Sequence, residues 1–133
     1  MLHPNQFQVN DTWIAFKLNE APIATDRDGD FDLIALMDAA SCFILSSVTV
    51  SVNALQPTEL ESRELLEKGR AHKQELPATL FVPRHQAADA LQLAAESLGI
   101  AVVRVPEDQL MPFIGEARTS FKECFPSSKR PKM

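Results

Sequence analysis

The order in which strand-like and helix-like segments follow one another constrains this chain more than any single motif. Three runs rich in branched and aromatic residues come first, at residues 13–18, 31–38 and 42–52. A helical pattern opens at Pro57-Thr58-Glu59 and runs to about Lys73, with Pro and acids suited to a first turn. Strand, helix, strand and helix follow: residues 78–82 between Pro77 and Pro83, 86–98 ended by Gly99, 100–105 closed by Pro106, and a last helix from near Pro112. Only the four residues Asp38-Ala39-Ala40-Ser41 separate the second run from the third, which predicts a hairpin.

Such an order predicts an α/β domain, β-β-β-α-β-α-β-α, with three antiparallel strands, two parallel ones and helices on the faces. Val48, Val50 and Val52 alternate with Thr49 and Ser51, so the far end of the third strand is expected to be solvated on one face. In the first helix Leu60, Leu65 and Leu66 form a narrow apolar stripe, and Gly69 weakens it by about 1 kcal/mol relative to Ala. The second helix offers Ala87, Leu91, Ala94 and Leu98 on one face. The run Ile100-Ala101-Val102-Val103-Arg104-Val105 reads as the clearest buried strand. Phe113, Ile114, Ala117, Phe121 and Phe125 give the last helix an aromatic stripe expected to pack on the sheet.

At 133 residues the chain fits one domain, expected over residues 12–125, with residues 1–11 as an N-terminal extension and 126–133 as a basic disordered tail. Net charge is −5, and removing tail residues Lys129, Arg130 and Lys132 leaves residues 1–128 at −8. A body that acidic repels a phosphate backbone, so nucleic acid is not an expected partner except through the tail. No apolar run is long enough to span a bilayer, Met1–Asp11 has no signal-peptide pattern, and Cys42 and Cys124 form no metal motif. The expected location is the cytoplasm.

Local sequence sharpens the fold class. Trp13 opens the first strand, an apolar strand ends in Asp38, and Ser41 leads into Cys42-Phe43-Ile44-Leu45. Further on, Leu76-Pro77 precedes a strand, a helix and Leu98-Gly99-Ile100. In that order these segments resemble the ribonuclease H-like catalytic cores of integrases and transposases over roughly residues 12–122, and the layout is also similar to an uncharacterised bacterial domain family. The resemblance implies a mixed sheet with an acidic metal centre at set strand ends. Phe16, Pro83 and Arg84 stand where the first two acids would be, so that chemistry, which needs converging carboxylates for two divalent cations, is not expected.

Candidate site residues follow from what replaces those acids. Lys17 on the first strand and Arg84-His85 after the fourth are the anion- or partner-binding candidates, Arg84 and His85 standing just before a helix N-terminus. No catalytic residue, metal site or cofactor is expected. Asp38 is read as a turn carboxylate that bonds nearby backbone N–H groups. Asp26, Asp28, Asp30 and Asp32 alternate, but Phe31 and Met37 occupy the places where a calcium loop needs Gly and Glu. The expected function is a non-catalytic binding or protein-interaction module, with a protein partner or small anionic ligand and a homodimer through the residue 42–52 strand as the partner readings. The alternative is a metal-dependent or acid–base enzyme using Asp38, Glu107 and Asp108, which requires those carboxylates to converge.

Overall fold

The computed structural model describes residues 2–19, 23, 29–54 and 56–124. Five strands form one sheet: β1 (Thr12–Lys17), β2 (Phe31–Asp38), β3 (Ile44–Ser51), β4 (Thr79–Pro83) and β5 (Ala101–Val105), in the order β3-β2-β1-β4-β5. β1 pairs antiparallel with β2 and β2 with β3, whereas β4 and β5 run parallel to β1. This is the expected ribonuclease H-like mixed sheet. Its helices are α1 (Glu59–Lys73), α2 (Asp89–Ser97) and α3 (Glu107–Cys124).

Alternation along β1 divides the interior. Trp13 and Ala15 point into a core with Leu65 and Leu66 of α1 and Leu91 and Ala95 of α2. Ile14, Phe16 and Leu18 point the other way, onto Leu110, Phe113 and Ile114 of α3. The central strand is thus buried on both faces, as the covered centre of a three-layer sandwich must be. Phe7 packs edge-to-face against Phe81 and Phe113, tying the chain's beginning to the second core.

Several sequence expectations are corrected. Leu60 is 73% exposed, and the buried stripe of α1 is Ser62, Leu65, Leu66 and Gly69. Gly69 is a close-approach residue: a Cβ there would lie 2.6 Å from Leu36 Cδ2 and 3.2 Å from the Trp13 ring. β5 is an edge strand rather than a buried one; Val103 is 42% exposed because α3 covers the sheet centre and leaves that edge open. α3 begins at Glu107, not near Pro112, which the second helical turn accommodates. α2 begins at Asp89, and β3 at Ile44 because Cys42 takes a left-handed turn conformation (φ 60°). Phe125, the basic tail and Asp26–Asp28 lie outside the described residues.

Asp38 is a fully buried carboxylate at the foot of the β2–β3 hairpin. One oxygen accepts from the Asn10 backbone N–H at 2.6 Å, the other from the Ser41 N–H at 2.9 Å and its hydroxyl at 2.8 Å. Asn10, itself in the left-handed region at φ 68°, accepts from the Trp13 indole at 2.8 Å. A charge-assisted knot of this kind fixes three chain segments at once.

Candidate functional site

At the carboxyl ends of β1 and β4 the chain leaves the sheet in opposite directions, which opens the crevice where sheets of this kind bind ligands. Here it is a cleft of about 590 Å³, lined among others by Lys17, Asn19, Asp32, His85, Gln86, Glu107 and Arg118. Two of the three sequence candidates, Lys17 and His85, line it. Arg84 is exposed and is not part of the lining; its backbone N–H extends the ladder to Val105 O at 2.8 Å.

The β1–β4 register, Ile14 opposite Phe81, carried two residues on, sets Phe16 level with Pro83. Both are buried, and Phe16 is fully so. The Arg118 guanidinium lies over the Phe16 ring at 5.8 Å, donates to Lys17 O at 3.0 Å and to Glu107 Oε2 at 2.6 Å. Arg118, which lines the cleft, thus caps a buried aromatic ring beneath it and engages one carboxylate.

Gln86 holds the other wall. Its Oε1 accepts from the Lys17 N–H at 3.0 Å, while its Nε2 is buried without a partner. Arg104, from β5, donates to Pro83 O at 3.1 Å and Gln86 O at 2.6 Å, bracing the β4–α2 turn from behind. The α2 N-cap, Ala88, offers no side-chain acceptor, and Gln56 supplies one from across the cleft by accepting from the Ala90 N–H at 3.1 Å.

Charge in the cleft is unevenly committed. Glu107 is bound to Arg118, and Asp32 accepts from the Asn19 amide at 2.9 Å. Lys17 makes no ion pair among the described residues. Glu107 and Arg118 offset each other, whereas Lys17 and Asp32, the latter held only by a neutral amide, both keep their charge, with exposed His85 beside them.

The alternative carboxylate set does not assemble. Asp38 pairs with Trp13 at the beginning of β1, whereas Glu107 follows the end of β5 and lines the cleft at Lys17. Four residues of strand put these ends about 13 Å apart. Among the described residues no group of three or more His, Cys, Asp or Glu is placed to hold a metal ion.

Sequence reading missed Arg118 and Gln86. A signal for Arg118 was present: it falls on the α3 stripe with Ile114, Ala117 and Phe121, and a cation at such a position must find partners under the helix. For Gln86 there was none, because a polar residue at the expected start of a helix is unremarkable until the fold brings β1 to it.

No protein-family model matches the chain, and no curated protein matches it significantly. Among solved structures, the chain is similar to a chain of the cryo-EM structure of the simian T-cell lymphotropic virus intasome in complex with the PP2A regulatory subunit B56 gamma, at 16% identity and a TM-score of 0.58. The match covers 93% of this chain and 44% of that one, so this protein spans less than half its length. At that identity the likeness shows the fold alone: a mixed α/β sheet of ribonuclease H-like architecture.

Proposed function

We propose that this protein is a non-catalytic binding module of ribonuclease H-like architecture, whose cleft takes an anionic group from a small ligand or a partner's carboxylate. The observation that carries this reading is the commitment of charge. Glu107 is neutralised by Arg118, Asp32 is turned to the Asn19 amide, and Lys17 faces the cavity without an ion pair among the described residues. Phe16 and Pro83 supply no ligand for a cation at the strand ends, and Arg118 adds a fixed positive charge over the ring, which opposes a divalent ion there.

An anion in the cleft would meet Lys17 from below and His85 from the β4–α2 turn. Arg84, outside the lining, would act only through screened long-range attraction. The test is calorimetric titration with phosphate, citrate and a short acidic peptide. Lys17→Ala is expected to weaken the best-bound of these about tenfold, a loss of about 1.4 kcal/mol. His85→Ala is expected to weaken it as well, and Arg84→Ala to weaken it least. Equal affinity in wild type, Lys17→Ala and His85→Ala would overturn the proposal, as would the absence of binding to all three probes.

A further inference from the structure

The second feature of the fold that faces outward with unmet chemistry is the free edge of β3. Its ladder parity follows from three hydrogen bonds. Leu18 N–H donates to Leu33 O and Ala39 N–H to Thr12 O, so the odd residues of β2 turn their peptide groups toward β1. The even residues of β2 therefore face β3, consistent with Val52 N–H donating to Asp30 O. With Asp32 opposite Val50 and Ile34 opposite Val48, the inward residues of β3 are Val48 and Val50. Ser47, Thr49 and Ser51 then direct their N–H and C=O groups away from the sheet. One of these six groups has a partner among the described residues: Ser47 O accepts from Lys68 Nζ at 3.4 Å.

Edge strands are ordinarily defended by charges or proline. β3, Ile44–Ser51, is eight residues long with neither. Val48 and Val50 point into the core beneath α1, so the side chains of Ser47, Thr49 and Ser51 lie on the opposite, open face. Along the edge runs a groove of about 270 Å³, lined by Ser47, Thr49 and, from α1, Glu61, Glu64 and Lys68.

We infer that β3 pairs antiparallel with β3 of a second copy, about a two-fold axis at Thr49, joining the two five-stranded sheets into one. Such an axis sets Thr49 opposite Thr49 and Ser47 opposite Ser51, hydroxyl pairs that suit cross-strand neighbours. It also orders the charges. α1 runs back along β3, with Lys68 at Ser47; two strand residues and four helix residues both advance about 6 Å, which puts Glu64 near Thr49, and Glu61, three helix residues further, on the Ser51 side of it. The same axis therefore carries Lys68 of each copy, which pairs with Glu64 of its own helix at 3.0 Å, toward Glu61 of the other. A one-residue slip would lose both matches, because it would turn inward-facing peptide groups to the joint.

The test is sedimentation velocity on the full chain, with circular dichroism as the check on folding. Wild type is expected to sediment as a dimer at about 100 μM, well above the micromolar constants of ordinary specific contacts. Thr49→Pro removes an outward N–H that the intrachain ladder does not use, so it is expected to give a folded monomer. Lys68→Glu and Glu61→Lys, each alone, juxtapose like charges and are expected to sediment as monomers; mixed, they are expected to form a one-to-one heterodimer. A wild-type monomer at that concentration would overturn the inference. So would a dimer that Thr49→Pro and the single charge variants leave intact, or variants that fail to pair when mixed.

Discussion

Helix propensity and tertiary packing give opposite signs for one substitution, Gly69→Ala. In an exposed helix interior the change adds about 1 kcal/mol of stability. In this fold the new methyl would sit 2.6 Å from Leu36 Cδ2 and 3.2 Å from the Trp13 ring, well inside the 3.5–4.0 Å of relaxed carbon contact. Neither neighbour can retreat easily. Both are fully buried, and the Trp13 indole is held by Asn10 at 2.8 Å. Relief must come from lifting α1, which loosens Leu65 and Leu66. Overpacking of this kind costs about 1–3 kcal/mol, so after the propensity gain a net loss of up to about 2 kcal/mol is expected. Gly115 is the control: a Cβ there meets only the flexible Met111 Cε at 3.4 Å, so Gly115→Ala is expected to stabilise by about 0.5–1 kcal/mol. Urea unfolding midpoints at constant m-value read both signs. In a Leu36→Ala background the Gly69→Ala penalty is expected to shrink toward zero, because most of the clash is gone. If Gly69→Ala raised the midpoint as Gly115→Ala does, the close approach of α1 to the sheet would be refuted.

The Asp38 knot predicts a large loss for Asp38→Ala, about 3 kcal/mol or more, since it strips the acceptors of two backbone N–H groups, one of them buried; a midpoint shift below the equivalent of about 1 kcal/mol would contradict that role. Ser41→Ala should cost about 1 kcal/mol and be strongly non-additive with it in a double-mutant cycle. Burial foremost, and then the charges of Asp38 and Glu116, push the Cys42 thiol above its ordinary range. Because the protonated form is favoured in the fold, alkylation of Cys42 in a Cys124→Ser background should be slower than in the unfolded chain at about pH 8 and should recover only at higher pH. Glu116→Gln should shift that profile toward lower pH, and an unchanged profile would exclude the carboxylate's influence.

How much of this was legible in the sequence differs from element to element. The three strands, the hairpin at Asp38 and the two parallel strands followed from branched residues, Pro77, Pro83 and Gly99, because local sterics decide such boundaries. The alternation of Val48, Thr49, Val50 and Ser51 reported which face of β3 is buried. Boundaries set by distant partners were not legible. α3 begins five residues before Pro112, and Cys42 leaves β3 for a strained turn beside Asp38. Nor could the sequence tell that Val103 would lie on an uncovered edge, since apolar runs of central and edge strands look alike.

What the sequence determined by itself is a mixed sheet, the succession of strands and helices along the chain and the residue types at the strand ends: Phe16 and Lys17 on β1, Pro83, Arg84 and His85 after β4. Alternation and turn chemistry are local, so they are written in neighbouring residues. Tertiary structure alone decided which of those residues share a cavity. It drew Lys17 and His85 together with Arg118, from a residue 101 positions along the chain from Lys17, and left Arg84 outside. It also paired Glu107 with Arg118 and left Lys17 without an ion pair among the described residues. Such pairings depend on distances between segments remote in sequence, and only the packed sheet and helices set them.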